Sequence, residues 1–176
     1  GISPGNDMRF KTDKLESSRN FANKLWNASR FVIMNLQDDE GNFLETPGSL
    51  EGLVLRDEDK WILSRVNSAV QYVTDNLEKF ELSLAGQRVY EVIWNEFCDW
   101  YIELVKNRLY QGDEEEKKVV RAVLVHALKD MLKLLHPFMT FLIEEIYSYL
   151  PKGTPTADNP EDFLMKGAWP VVDSQL

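Results

Sequence analysis

The sequence predicts an all-α fold, a helical bundle of four to five helices followed by an irregular C-terminal tail. Apolar residues recur at steps of three and four over several long stretches, which is the spacing of amphipathic helices. Gly, Pro, Asn and Asp concentrate between those stretches, where turns are expected. No run alternates apolar and polar residues over the length of a strand. A chain of 176 residues is long enough for one domain with a sizeable core.

The composition divides the chain into three parts. Residues 1–11 hold Gly, Ser, Pro, Asn and Asp in quick succession, so we expect a linker that leads into the domain. Residues 12–150 carry the helical periodicity and form the domain itself. Residues 151–176 are rich in Pro, Gly and Asp, and we expect an irregular C-terminal strap there.

The first predicted helix begins with Thr12 or Asp13 as its N-cap. Glu16 lies three residues after Asp13, which is the spacing of a capping box. The helix ends near Leu36, and an apolar stripe marks the side that faces the core. The stripe consists of Leu15, Ala22, Leu25, Trp26, Ser29, Val32, Ile33 and Leu36.

A long surface loop and a second helix follow. Residues 37–56 combine turn-forming residues with a few apolar anchors, so they predict a loop that crosses the surface. The second helix begins at Asp57 and ends near Phe80. Its first turn is acidic, which favours the positive end of the helix dipole. The loop anchors are Phe43, Leu50, Leu53 and Leu55.

The rest of the domain predicts two more long helices and a shorter stretch. The third helix runs from about Ser83 to Tyr110, with Gly112 just past its end. The fourth begins near Asp113 and reaches Pro137, which must kink or end it. Residues 138–150 are then either its bent continuation or a short fifth helix.

Composition also limits the class of protein. A single cysteine excludes an internal disulfide and fits a reducing cytoplasm, which is the expected location. Apolar runs are far shorter than the roughly 20 residues that a membrane span requires, so we expect no membrane partner. The net charge of −9 argues against a nucleic-acid partner, yet residues 9–30 hold six basic and two acidic residues. Their local charge of +4 leaves one candidate surface for an anion.

The sequence offers no arrangement typical of catalysis or metal binding. His126 and His136 are ten residues apart on apolar helical stretches, without the spacing of a bundle metal site. Cys98 lies within an aromatic helix, where a thiol usually behaves as a small buried apolar group. Glu144 and Glu145 are adjacent and so point in different directions, and no Gly-rich phosphate loop is present. We therefore expect no catalytic residue, no metal site and no cofactor in this chain.

The informative segment is the polar side of the first helix, which we call the candidate face. Its amides differ from the Glu and Lys of an ordinary solvent face, and Asn is a poor helix former. Asn and Arg bind base edges and phosphates, and Phe stacks on unpaired bases, so the pattern favours contact with single-stranded RNA. Alternatively, the amides hydrogen-bond neighbouring helices or the long loop. The face consists of Arg19, Asn23, Lys24, Asn27, Arg30 and Phe31.

Four segments of the chain together resemble one known family. They are residues 5–10 (GNDMRF), 19–31 (RNFANKLWNASRF), 94–103 (WNEFCDWYIE) and 134–141 (LLHPFMTF). In this order they resemble the anticodon-binding domain of valyl-tRNA synthetases. The resemblance covers essentially the whole chain and is weakest at residues 37–56 and in the last 25 residues.

This resemblance implies a function for the chain and a place for it in a larger enzyme. The partner would be the anticodon stem-loop of a valine tRNA. The catalytic domain, which uses ATP and Mg²⁺ to attach valine to tRNA, would lie upstream of Gly1, and a coiled-coil arm beyond Leu176. The chain would then be a monomeric fragment that contacts that catalytic domain but carries no catalytic site.

The resemblance also implies roles for individual residues. In related methionyl enzymes the matching helix presents an Asn and a planar cation to the anticodon, and Asn27 and Phe31 correspond to that pair, with Arg30 adjacent. Arg19, Lys24 and Arg30 would bind phosphates, while Asn23, Asn27 and Phe31 would contact bases. Two cations near the end of the third helix would contact the RNA from a second side, namely Lys106 and Arg108. Two alternatives remain open, a helical protein-interaction module and a structural spacer between domains.

Overall fold

The computed structural model describes the backbone of residues 4–148 and the side chains of residues 16–140. The described part is helical apart from short connections and the loop 37–56, so the all-α prediction is confirmed. Because α3, π1 and α4 follow one another without a break, they form one continuous helical rod, which we call the third rod. Helices α1, α2 and α5 are the first, second and fourth rods of the described part. The elements are α1 (Pro4–Asn35), α2 (Asp57–Glu78), α3 (Leu82–Glu91), the π-helix π1 (Val92–Tyr101), α4 (Ile102–Gln111) and α5 (Glu114–Ser148). The predicted strap at 151–176 lies outside the described residues.

The prediction of a non-helical linker over residues 1–11 is wrong for most of that segment. Helix α1 begins at Pro4, and residues 1–3 lie outside the described part. Proline suits the first helical position because its φ angle is already helical and its missing N–H would have no partner there. The turn-forming residues after Pro4 therefore fall inside the first turns. The predicted end near Leu36 is confirmed, since α1 ends at Asn35.

The core lies where the four rods meet. α1 packs on α5 and π1, while α2 packs on α3, π1 and α5. The apolar stripe predicted for α1 is confirmed over its described part, with Leu25 and Val32 fully buried and Trp26 and Ile33 half-buried. The largest fully buried side chains are Leu25, Ile62, Ile93, Phe97, Tyr101, Leu124 and Met131.

Pro137 neither ends nor divides the last helix, because α5 continues through it to Ser148. Of the two alternatives for residues 138–150, the continuous helix is therefore the observed one as far as Ser148. Pro137 and Lys133 are both exposed, so water can reach the Lys133 carbonyl that loses its helical partner. Beyond the proline, Phe138 packs against Gly86 of α3, where an added Cβ would lie 3.4 Å from the ring.

The loop 37–56 crosses the surface as predicted and is tied down by polar contacts. The Asp38 carboxylate accepts hydrogen bonds from the backbone N–H groups of Glu40 and Asn42, both at 2.9 Å. The buried Arg121 guanidinium donates to the carbonyl of Glu45. It also donates to Glu114, which lowers the pKa of that carboxyl. Phe43 is exposed and is not among the side chains that pack on the core, whereas three leucines are, namely Leu50, Leu53 and Leu55.

A fully buried carboxylate joins the start of α2 to π1 and α4. Asp59 accepts a hydrogen bond from the N–H of Arg56 at 2.9 Å, which caps α2. It accepts another from the Tyr101 hydroxyl at 2.7 Å and two from Arg108, at 2.8 and 3.0 Å. Four donors therefore satisfy a charged group from which water is excluded. We call Asp59, Tyr101 and Arg108 the buried triad.

The pKa values of the buried triad are consistent with its charges. Burial and the adjacent Asp59 carboxylate raise the pKa of Tyr101, so the phenol stays protonated and remains a donor. Burial by itself would lower the pKa of Arg108. The hydrogen bonds and charge of Asp59 outweigh that effect and raise it, so the guanidinium stays charged.

Helix α2 ends in a strained turn. Phe80 adopts a left-handed backbone conformation with φ 59°, which favours glycine. The N–H of Glu81 donates to the Asn76 carbonyl at 2.8 Å and that of Phe80 to the Leu77 carbonyl at 3.1 Å. This is the Schellman pattern, in which glycine usually holds the position of Phe80. The ring is 88% exposed, so burial of the side chain contributes little in return.

We predict that Arg108→Ala destabilises the chain by about 3–5 kcal/mol, because it leaves the Asp59 carboxylate buried without its cation. Urea unfolding followed by circular dichroism measures this change. Arg30→Ala is the control, since Arg30 is exposed and its loss should change the free energy of unfolding by less than about 0.5 kcal/mol. Equal unfolding midpoints for the two variants would contradict a stabilising triad.

We predict that Phe80→Gly stabilises the chain by roughly 0.5–1 kcal/mol, because glycine adopts the left-handed conformation without steric cost. Lys79→Gly is the matched control. Lys79 has φ −89°, so glycine gives no conformational gain there and should destabilise by a similar amount. Thermal unfolding of both variants tests the pair, and a loss of stability for Phe80→Gly would show that its ring makes a compensating contact.

Candidate nucleic-acid interface

The candidate face of α1 is accessible. Arg19, Asn23, Asn27 and Arg30 are exposed, and the other two members, Lys24 and Phe31, are half-buried. Within residues 16–140 no hydrogen-bond partner is found for the amides of Asn23 and Asn27. The lack of such hydrogen bonds within residues 16–140 argues against the alternative in which both amides bind neighbouring helices or the loop.

Asn35 behaves differently from the other asparagines, because its amide donates to the Phe31 carbonyl at 2.8 Å. At Asn35, near the end of the helix, the amide therefore has a structural role in hydrogen-bonding the backbone. This role does not extend to the middle of α1, where Asn23 and Asn27 point away from the core.

The half-buried members of the candidate face mark where α1 meets the third rod. Lys24 pairs with Asp99 of π1, and the Lys106 ammonium of α4 lies 6.0 Å from the centre of the Phe31 ring. In both pairs the partners are 75 residues apart in sequence. The constant offset means that α1 and the π1–α4 segment run side by side in the same direction.

An aromatic stack lies at this seam between α1 and π1. The rings of Phe21 and Tyr90 are 5.4 Å apart with an interplanar angle of 28°. Those of Tyr90 and Trp94 are 5.5 Å apart at 16°. The Lys24 ammonium lies 4.2 Å from the centre of the Trp94 ring. Tyr90 and Trp94 lie four residues apart on one continuous helical stretch, whereas Phe21 comes from α1, so the stack forms only when the helices pack.

The candidate face and the neighbouring Lys106 carry less unpaired positive charge than their sequence suggests. Lys24 is paired with Asp99, and Lys106 with Glu103 at 2.5 Å. For Arg19 and Arg30, no carboxylate within the described side chains lies within 4.0 Å. The two arginines are therefore the cations best placed to meet an anion.

The prediction that Arg108 contacts RNA is wrong. Its side chain is 6% exposed and is bound to Asp59 in the buried triad, with Glu58 at 3.1 Å. The sequence shows a cation near a helix end but not the acidic turn of α2 that opposes it. Its neighbour Lys106 is half-buried and lies beside Phe31, so a contact with RNA is still open to it.

Other groups are accounted for by local contacts. The His126 ring lies 3.3 Å from the Asp130 carboxylate one turn along α5.

Over the part of the chain described here, no group of three or more His, Cys, Asp or Glu side chains could hold a metal ion. Among the described helices, none is long and apolar enough to cross a membrane.

Comparison with known proteins gives a family and several relatives. The family described as the anticodon-binding domain of tRNA ligase matches residues 59–176. The valine–tRNA ligases of Clostridium tetani, Clostridium acetobutylicum and Oceanobacillus iheyensis are 53%, 49% and 44% identical over all 176 residues. The chain spans 19% of the length of each relative. The candidate face precedes the family match but lies within all three alignments.

The single thiol lies next to the seam between α1 and π1. Cys98 is buried, and desolvation raises its pKa to about 12 against the opposing effect of Lys24. The folded chain thus holds the thiol proton more tightly than the unfolded chain does. Below pH 9 both states are protonated, so this stabilising contribution is fully present. It is lost as the pH rises from about 9 towards 12.

We predict that Cys98 reacts with a disulfide reagent at least ~100-fold more slowly in the folded chain than in urea, because the thiolate is the reactive form. Absorbance of the released thiol at pH 8 measures both rates. The unfolded chain serves as its own control, since it carries the same single cysteine. Similar rates would show an accessible thiolate in the folded chain.

Proposed function

This chain belongs to the family of anticodon-binding domains of tRNA ligases, and from that membership we propose that it binds the anticodon stem-loop of a valine tRNA. The proposed host is a valine–tRNA ligase, as the relatives suggest. In that enzyme a separate catalytic domain would attach valine with ATP and Mg²⁺, and the bundle would hold the tRNA. The setting we propose is the cytoplasm, with the chain acting as a monomer.

One observation carries the proposal, the exposed amide pair Asn23 and Asn27 on α1. An amide donates and accepts hydrogen bonds, so it matches the edges of unpaired bases. Neither amide is used by a described residue of the fold. Asparagine disfavours helices, and a ligand that contacts both exposed amides would compensate for that cost.

The proposed binding mode divides the candidate face by chemistry. The loop bases unstack and meet Asn23 and Asn27 along their hydrogen-bonding edges. Phe31 is half-buried, so part of its ring is available for a base to stack on. Arg19 and Arg30 bind phosphates on either side of the amides. Contacts to phosphate set the position of the RNA, and contacts to bases set which anticodon is accepted.

The charges of the seam make binding only moderately sensitive to salt. Lys24 and Lys106 are engaged with carboxylates, which leaves Arg19 and Arg30 as the principal phosphate ligands. Two phosphate contacts to a single strand correspond to a slope of about −1.4 in a plot of log affinity against log salt. Arg108 has no part in this surface because it is buried.

We predict that the chain binds a stem-loop with a valine anticodon more tightly than one with an unrelated anticodon, and that Asn27→Ala weakens the first by about tenfold. A hydrogen-bonded base contact is worth roughly 1–3 kcal/mol. Fluorescence anisotropy with labelled stem-loops measures each dissociation constant. Asn67→Ala is the matched control, because Asn67 is an exposed asparagine on α2, away from the candidate face.

The same titration separates phosphate contacts from base contacts. Arg30→Gln should weaken both stem-loops by the same factor and make the salt slope shallower by about 0.7, since one phosphate contact is lost. Lys60→Gln, at an exposed position of α2, should change neither quantity. If the unmodified chain binds all stem-loops equally, the anticodon proposal fails, and a protein-interaction module or a spacer becomes the better explanation.

A further inference from the structure

One side chain connects α1 to the π-helix. The Lys24 ammonium pairs with the Asp99 carboxylate and lies 4.2 Å from the centre of the Trp94 ring. Within residues 16–140 this is the one ion pair or side-chain hydrogen bond that joins α1 to another helix. The Lys24 side chain is 27% exposed, so it is largely enclosed by these partners. We call Lys24, Trp94 and Asp99 the π1 clamp.

The π-helical geometry is what brings the two π1 partners together. Trp94 and Asp99 are five residues apart in π1. In a π-helix, residue i+5 is hydrogen-bonded to residue i and therefore lies on nearly the same side. In an α-helix, positions five apart differ by about 140° around the axis. A regular α-helix would direct Trp94 and Asp99 to different sides, and one lysine could not contact both.

Apolar packing alone fixes the rotation of α1 poorly, because hydrophobic contacts have no preferred direction. A rotation of about 10° moves a side-chain tip that is about 6 Å from the helix axis by roughly 1 Å. Base recognition tolerates errors of only about 0.5 Å. Asn23 and Asn27 flank Lys24 on the same helix, so whatever fixes Lys24 also fixes both amides.

We propose that the π1 clamp sets the rotation of α1 and thereby positions Asn23 and Asn27 for anticodon recognition. Lys24 is then a positioning residue and not the phosphate ligand that its sequence suggests. This inference rests on the proposed function. It also gives the π-helix a purpose, since the irregular turn is what allows Trp94 and Asp99 to share one cation.

The competing role for Lys24 makes the opposite prediction for its partner. As a phosphate ligand, Lys24 would have to leave Asp99, whose negative charge would then weaken RNA binding. Removing that charge would increase the affinity for every RNA. As a member of the clamp, Asp99 holds Lys24 in place, and removing its charge would impair recognition of the correct anticodon.

The test measures dissociation constants of Asp99→Asn and Lys24→Met for stem-loops with a valine anticodon and an unrelated anticodon, at several salt concentrations. We expect both variants to lose about three- to tenfold of the preference between the two RNAs. The salt slope should stay within about 0.3 of that of the unmodified chain, less than half of the roughly 0.7 that one lost phosphate contact would give.

Glu103→Gln is the matched control for Asp99→Asn. Glu103 is an exposed carboxylate two residues past π1, and its partner Lys106 lies on the same helix, so the pair does not join two rods. This variant removes the same charge from the same side of the bundle. We expect slightly tighter binding of both RNAs and an unchanged preference between them.

The charge-exchanged double variant Lys24→Asp with Asp99→Lys keeps an ion pair between α1 and π1. We expect it to recover at least half of the lost preference, which also guards against loss of folding in the single variants. The inference is overturned if Asp99→Asn keeps its preference and binds both RNAs more tightly, as Glu103→Gln does. A chain without any preference before substitution overturns the proposed function instead, and the clamp proposal with it.

Discussion

The fold depends on satisfying one buried carboxylate. Asp59 lies in the first turn of α2, and its charge is tolerable inside the bundle only because four donors reach it. Those donors come from both ends of a long stretch of chain, since Arg56 precedes α2 while Tyr101 closes π1 and Arg108 lies in α4. Because these donors must reach Asp59, the position of the third rod along its axis and its rotation about that axis are both fixed relative to α2.

From that fixed position, π1 presents different chemistry to each neighbour. Towards α2 and α3 it presents Glu96, which accepts hydrogen bonds from Arg65 at 2.7 Å and Arg88 at 3.2 Å. Towards α1 it presents Trp94 and Asp99 to Lys24. Tyr101, the last residue of π1, belongs to the buried triad. The arrangement that stabilises the bundle therefore also determines which way the candidate face of α1 is turned.

Four arginines of the described residues form two groups that composition cannot distinguish. Arg108 and Arg121 are buried and hold the ends of helices and the loop 37–56 in place. Arg19 and Arg30 extend into solvent on α1. A chain with a net charge of −9 can therefore present a small basic surface, because much of its acidic charge lies elsewhere or is paired with structural arginines.

The sequence by itself determined the helices, most of their ends and the surface loop, because helical periodicity and turn chemistry act between near neighbours. It left open whether the α1 amides face solvent or neighbouring helices. It could not predict that Arg108 is buried opposite Asp59, that Pro137 is accommodated within α5, or that residues 92–101 are π-helical. The burial of Arg108 depends on partners that lie far apart in sequence. Tertiary structure decided it, because the energy of a buried charge depends on which partners the packed bundle brings within reach.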